Sequence, residues 1–360
     1  MKILYITPTI YDEGGVSKVL ALKTNYLIEQ FDYEIYVLTS NNDKTSFFHP
    51  FNTKTKAIDL KTKGFKPFKI IDHYKKVNQQ IEEIKPDLLV LCDFGWKGFC
   101  FNFFVKTKIP LIFEVHGSIF NETKAIKFPI LSFVRASIRK LLLKMFRHVV
   151  FLSSNSQKEW EITGNIIPNP MITNLDKSEL KSTKVIAVAR HSYEKGVDRL
   201  LSIWQKIISV KPEWTLDIYG EGIYLEQNKK LASDLNILSN TNFYKPVKNI
   251  NDKYLESSVC LMTSRQEGFP MVLLEAMSVG LPIVAYDCPI GPRSIITNEE
   301  NGFLIEDGNE KAFVAKTIQL LEDYEVRKRI GNEAKMAIQK YNIDAIMKQW
   351  NALFMTLTSK

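Results

Sequence analysis

No D-x-D triplet occurs in the 360 residues, which removes the simplest carboxylate arrangement for a divalent ion held with a nucleotide diphosphate. The four cysteines, Cys92, Cys100, Cys260 and Cys288, form no C-x-x-C pair, and the five histidines are scattered without H-x-x-x-H spacing. The cysteines sit mostly in apolar, strand-like runs and read as reduced core thiols; no metal is expected. No uncharged apolar stretch reaches the roughly 18 residues a spanning helix requires. The N-terminal run "MKILYITPT" is short and lacks a small-residue cleavage site, so it reads as a strand rather than a signal peptide. A cytoplasmic chain, or one lying on a membrane without crossing it, is expected. The first strand-to-helix turn lacks G-x-G-x-x-G, which disfavours a dehydrogenase. No nucleic-acid-binding motif accompanies the basic residues, so nucleic acid is not an expected partner.

What is present is an ordinary globular composition, 45% hydrophobic and 24% charged, in a chain longer than single cores usually grow. Short β-rich runs alternate with helical periods: "KILYIT", a helix over about 16–29, "EIYVLT", a helix near 74–84, "DLLVLC", "PLIFEVH" and "HVVFLS". Apolar strands alternating with helices indicate a doubly wound, mostly parallel sheet. The pattern breaks at "GNIIPNPMITNLDKSELKSTK" and restarts with "KVIAVAR", "WTLDIYG", "NFYKP", "VCLMTS", "PIVAYD" and "GFLIE". The expected organisation is α/β: a Rossmann-like domain over 1–165, a linker over 166–183 and a second Rossmann-like domain over 184–340. A last helix over 341–360, with Ile343, Ile346, Met347, Trp350, Leu353, Phe354 and Leu357 at helical spacing, is expected to pack back on the first domain. Two such sheets would face each other across a cleft, with strand carboxyl ends turned toward it, the edge at which open α/β sheets bind ligands.

The motifs fall at that edge. "TPTIYDEGGVSK" puts Gly14 and Gly15 at a helix start, where backbone amides suit a phosphate; a plain strand-to-helix turn has the same form. "VIAVARHSYEKG" puts Arg190 at a strand end and Lys195 five residues on, before Gly196 and a helix. Two cations there suit a diphosphate, although alone they would read as solvated surface charges. "DIYGEG" places Gly220 and Gly222 at another strand end, as a close-approach turn or an ordinary one. The most specific stretch is "RQEGFPMVLLEAMSVG" over 265–280. Pro270 suits a first helical turn, so Glu267, Gly268 and Phe269 lie in the loop at the helix start, with its amides open to a phosphate or sugar oxygen. Glu275 follows among Leu273, Leu274, Ala276 and Met277 and needs a partner: the hydroxyls of a cis-diol such as a ribose, or a neighbouring Lys or Arg.

"ARHSYEKG", "DIYGEG" and "SRQEGFPMVLLEAMSVGLPIVAYDCPIGPRSII" together resemble the C-terminal half of retaining, nucleotide-sugar-dependent glycosyltransferases of the two-Rossmann-domain GT-B group, family 4 type. Glu267 and Glu275 match that family's E-x7-E element. "DCPIGPRSII" is most similar to members that build bacterial exopolysaccharide, capsule or lipopolysaccharide from UDP-sugars. The resemblance implies that Arg190 and Lys195 hold the donor diphosphate and stabilise it as it leaves, that Glu275 binds the ribose, and that Glu267 contacts the transferred sugar. Gly15 and its helix start would sit against the distal phosphate, and His116 of "FEVHGS" would face the sugar. It implies a metal-independent hexosyltransferase with no cofactor beyond its nucleotide-sugar donor. Its acceptor would be a hydroxyl of a glycan or lipid-linked saccharide. A sugar-nucleotide epimerase and a non-catalytic nucleotide-sugar-binding subunit are the alternatives. "NFYKPVKN" departs from the family's F-x-G, and Lys245 and Pro246 stand where the base would lie.

Charge is uneven: residues 1–175 hold 24 Lys and Arg against 16 Asp and Glu, whereas 176–360 hold 24 of each. Within "RASIRKLLLKMFRHVV" (135–150), Arg135, Arg139, Lys140, Lys144 and Arg147 accompany Ile138, Leu141, Leu142 and Met145 at helical spacing. This is either a basic amphipathic helix for an anionic leaflet at the inner membrane face, or a core helix with a solvated basic face.

Overall fold

The structure, a computed structural model, describes residues 1–40, 42, 46–63, 65, 68–120, 129–173 and 176–359. These form two compact units, one of residues 1–120, 129–170 and 343 onward, the other of residues 171–342.

The first unit runs β1 (Lys2–Ile6), α1 (Gly15–Phe31), β2 (Glu34–Thr39), β3 (Lys56–Asp59), α2 (Phe68–Ile84) and β4 (Leu88–Leu91). It continues through α3 (Trp96–Phe99), α4 (Phe101–Phe104), β5 (Leu111–Val115), α5 (Pro129–Leu143), β6 (His148–Phe151), α6 (Ser154–Trp160) and β7 (Asn165–Ile166). Among the described residues the strands form one seven-stranded parallel sheet in the order β3-β2-β1-β4-β5-β6-β7. Side chains alternate across a strand, so Leu4 and Ile6 enter the core on one face and Ile3 and Tyr5 the core on the other. Burial on both faces is why these strands read as continuous apolar runs.

The second unit carries β8 (Lys184–Val188), α7 (Val197–Ile208), β9 (Thr215–Tyr219), α8 (Leu225–Asp234), β10 (Thr241–Tyr244), α9 (Ile250–Leu255) and β11 (Val259–Met262). There follow α10 (Met271–Ser278), β12 (Ile283–Asp287), β13 (Phe303–Glu306), α11 (Glu310–Glu322) and α12 (Tyr324–Ala337). Among the described residues its strands form a six-stranded parallel sheet in the order β10-β9-β8-β11-β12-β13. The last helix, α13 (Ile343–Thr358), belongs to the first unit, where Ile346, Met347, Trp350 and Phe354 cover the Ile3 and Tyr5 face.

The boundaries between units fall after residues 170 and 342, and the stretch expected as a linker over 166–183 is packed. Ile167 and Leu180 are buried, and the Ser178 hydroxyl donates to the Ser257 carbonyl at 2.6 Å. Residues 174 and 175 of that stretch lie outside the described residues. In both sheets the chain winds outward from the first strand and then crosses to its other side. The carboxyl ends of β1 and β4, and of β8 and β11, are therefore the topological switch points at which such sheets bind ligands. No described helix is long and apolar enough to cross a membrane.

Candidate functional site

Beyond β8 the chain turns through a short helical turn, Tyr193–Lys195, to Gly196 in the left-handed region at φ 63°. A Cβ on Gly196 would lie 2.3 Å from the Thr263 carbonyl oxygen, and the Thr263 hydroxyl donates to the Gly196 carbonyl at 2.9 Å. The loop after β8 is thus pressed against the end of β11, and two residues 72 apart in sequence meet: Lys195 Nζ donates to Glu267 Oε1 at 2.7 Å. The Ser264 hydroxyl donates to the same oxygen at 2.7 Å. Glu267 is 8% exposed, while the Lys195 side chain keeps 25% exposure at the switch point. Arg190 is exposed and pairs with Glu194 at 3.2 Å.

Arg265 was not anticipated, although it stands inside the quoted stretch. Its guanidinium bonds both Asp198 oxygens at 2.8 and 2.6 Å, donates to the Tyr193 carbonyl at 2.9 Å and lies over the Tyr193 ring. Burial alone would raise the Asp198 carboxyl, but the Arg265 bonds outweigh it and hold it below the usual range. This clamp fixes the loop that carries Lys195 to the loop that carries Glu267.

Pro270 is the N-cap of α10, one position earlier than a first helical turn. Phe269 is buried edge-on against Tyr341, with ring centroids 5.6 Å apart, so it supports the loop from beneath, and Gly268 remains half-buried. A Cβ on Gly291 would come within 2.5 Å of Glu267 Cβ and 2.8 Å of Pro270 Cδ. Only glycine lets the "CPIGP" loop bridge Glu267 through Ile290.

Glu275 is buried on α10 and accepts from the Tyr254 hydroxyl at 3.0 Å. One partner of this buried carboxylate is therefore a tyrosine on α9. Burial, reinforced by Glu275, pushes the Tyr254 hydroxyl well above its ordinary range and keeps it a donor.

Gly220 has a close-approach role: a Cβ there would lie 2.0 Å from the Ala189 carbonyl, so the ends of β8 and β9 can touch. Gly222, at φ 153°, packs on the His191 backbone. His191, one residue after Arg190, is fully buried with Nδ1 2.9 Å from Asn228 Nδ2, and burial together with Lys229 lowers it to about 4. Near the expected base side, Tyr219 and Tyr244 stack at 4.8 Å, and Lys245 is exposed 4.0 Å from Glu221.

The remaining candidates lie in the first unit. Gly14 caps α1 in an extended conformation, and its amide donates to Asp12 Oδ1 at 3.3 Å, while Ser17 also bonds Asp12. A carboxylate thus occupies the side of the turn expected to take a phosphate. Gly15 begins the helix and is exposed. His116 follows β5 with its side chain 7% exposed, Nε2 being 3.7 Å from Glu114 Oε1. Lys23 donates to both Glu114 oxygens at 2.8 and 2.7 Å and lies 3.6 Å over the Trp350 ring. Burial would raise the Glu114 carboxyl, but Lys23 holds it low; burial lowers His116, against the pull of Glu114. Among the described residues, Cys92, Glu114 and His116 are the group with metal-ligating spacing, their ligand atoms lying within 4.8 Å of one another. Here Glu114 is already paired with an ammonium, and burial pushes the Cys92 thiol well up, so this donor set is matched to Lys23 rather than to a divalent ion. All four cysteines are free, with Cys92, Cys260 and Cys288 buried and Cys100 half-buried.

Residues 173–337, which include every candidate of the second unit, match the family model "Glycosyl transferases group 1". An uncharacterised glycosyltransferase of Haemophilus influenzae is 27% identical over 98% of this chain and 99% of its own length. The amylovoran biosynthesis glycosyltransferase AmsD of Erwinia amylovora is 27% identical over 97% of this chain and 98% of its own. A crystal structure of a TarM mutant of S. aureus, in complex with fondaparinux, alpha-GlcNAc-glycerol and UDP, matches the fold with a TM-score of 0.83 at 15% identity, covering 98% of this chain and 99% of that one. Over residues 173–337 the chain is thus similar to the glycosyl transferases of group 1, and over nearly its whole length to these two glycosyltransferases; its two parallel-sheet α/β units share the fold of GT-B structures.

Proposed function

We propose that this protein is a retaining, metal-independent glycosyltransferase of cell-surface polysaccharide assembly. It moves a hexose or N-acetylhexosamine from a nucleotide sugar, UDP-linked, to a hydroxyl of a glycan or lipid-linked saccharide at the cytoplasmic side of the membrane. The observation that carries this reading is the Lys195 ammonium, its side chain a quarter exposed, paired at the β8–β11 switch point with Glu267, which also accepts from Ser264, on the same loop as exposed Arg190. Support also comes from AmsD, whose name assigns it to amylovoran biosynthesis, and from TarM, which was crystallised with UDP.

In this mechanism the acceptor oxygen bonds to the anomeric carbon as the bond from that carbon to the diphosphate breaks. The acceptor proton passes to the departing phosphate, on the same face of the sugar. Lys195 and Arg190 stabilise the charge that develops on the leaving diphosphate, which is positioning and electrostatic catalysis. Glu267 accepts from sugar hydroxyls and Glu275 from the ribose. Gly220, Gly268, Phe269 and Pro270 shape the donor's surroundings.

The test is calorimetric titration with uridine, guanosine and adenosine diphosphates, with and without a chelator, beside Glu275→Ala. Transfer from the bound nucleotide's sugars to lipid-linked acceptors, with product anomers read by NMR, follows. Chelator-insensitive binding of UDP that is lost in the variant supports the reading. No binding of any diphosphate, chelator-sensitive binding, or an inverted product overturns the corresponding part.

A further inference from the structure

The outward face of α5 is apolar, which is the reverse of what a core helix presents. Ala136, Leu143 and Phe146 face the first unit's core. Leu131, Val134, Ile138, Leu141 and Met145 recur at steps of three and four residues and are each between 43% and 66% exposed. Five large apolar side chains in one stripe is not the scatter of single hydrophobics that ordinary surfaces show.

The charges beside the stripe are of one sign. Arg135, Lys144 and Arg147 are exposed around it, Lys140 is paired with Glu161 at the inner edge, and no acid occurs from residue 131 to residue 150. Two exposed aromatics lie beside the helix. Trp96 sits under the Arg139 guanidinium at 5.6 Å. Phe103 follows Asn102, whose amide donates to the Met145 carbonyl at 3.1 Å.

A stripe with this spacing could also serve as a helix-pairing seam, but Arg135 and Lys144 would then oppose their own copies across it, and like charges at such flanking positions work against pairing. An anionic bilayer reverses that sign. Apolar side chains enter the headgroup boundary, aromatics settle at the interface, and cations meet lipid phosphates.

We propose that α5, with Trp96 and Phe103 beside it, docks the first unit on an anionic lipid surface. This supplies the lipid partner for the proposed acceptor, yet it does not depend on the donor-site residues, all of whose second-unit members lie elsewhere in the chain.

The experiment is flotation of the full chain with vesicles of equal parts phosphatidylglycerol and phosphatidylcholine, against phosphatidylcholine alone. Binding is expected to the anionic vesicles only, and to weaken with salt. Each basic residue near such a surface contributes about five-fold, so Arg135→Gln/Lys144→Gln/Arg147→Gln should weaken binding by about a hundred-fold. Ile138→Gln/Leu141→Gln should also abolish most of it. Because these side chains are exposed, thermal midpoints and UDP titrations should match the wild type, so failure of the donor reading would appear in the titration alone. Absence of anionic-vesicle binding, binding untouched by both variants, or a lipid-free dimer that Ile138→Gln/Leu141→Gln dissolves would each overturn the proposal, the last in favour of a second copy.

Discussion

If Lys195 holds the donor diphosphate, removing its present partner and removing the lysine itself should move UDP affinity in opposite directions. In the structure the ammonium spends its shortest contact, 2.7 Å, on Glu267. A diphosphate must compete with that carboxylate for it. A pair with one partner a quarter exposed is worth about 1–2 kcal/mol after solvent screening, less than a fully buried pair. Glu267→Gln keeps the shape and the bond from Ser264 but removes the charge, so UDP should bind about 5- to 30-fold more tightly, at tenfold per 1.4 kcal/mol. Sugar transfer should nevertheless fall, since the carboxylate proposed to orient the sugar is gone. Lys195→Ala loses a charge-assisted bond of about 1.5–3 kcal/mol and should weaken UDP by about 10- to 100-fold. Calorimetry with UDP on the two variants reads both signs, and turnover with the UDP-sugar reads the split. If Glu267→Gln weakens UDP as much as Lys195→Ala does, the pair is a structural strut and the reasoning fails.

Three further outcomes follow from the geometry. Lys23→Met leaves Glu114, 1% exposed, without its cation and should cost about 3–5 kcal/mol in denaturant unfolding; Lys23→Met/Glu114→Gln should recover much of this, and full stability in the single variant would refute a functional ion pair there. His191 is the one histidine of the second unit, and burial lowers it to about 4 from 6.5. Between those values the unfolded chain binds the proton and the folded one does not, so stability falls as pH drops from 6.5 to 4, by up to about 3 kcal/mol; His191→Gln should flatten that slope in unfolding followed through Trp204 and Trp214. Gly291→Ala would force a methyl into Glu267 and Pro270, at a cost of about 1–3 kcal/mol. Weaker UDP binding is expected with it, and unchanged affinity would show that the "CPIGP" loop does not set the Glu267 position.

The strands were legible because burial on both faces leaves little but Val, Ile, Leu and Phe in them: "KILYI", "LLVL" and "HVVF" announce themselves. β3, "KAID", did not, because an edge strand of four residues with an exposed end carries only two apolar positions. Arg190, Lys195, Glu267 and Glu275 were legible as charges in strand-end and helix contexts where charge needs a reason. Their partners were not. The reading for Glu275 left open a ligand hydroxyl or a basic side chain, and the structure supplies Tyr254, 21 residues earlier.

The sequence by itself determined two α/β halves, a C-terminal helix with one apolar face, and candidate residues at the ends of strands. Those are consequences of local periodicity and of which residue types tolerate burial. Only the tertiary structure decided what each charge meets. Lys23 finds Glu114 across 91 residues and Lys195 finds Glu267 across 72 because parallel strands bring distant segments to one sheet edge. The same holds for α5: a helical period names a stripe, but which stripe faces the core is settled by what packs beneath it, and here Leu131, Val134, Ile138, Leu141 and Met145 were left outside.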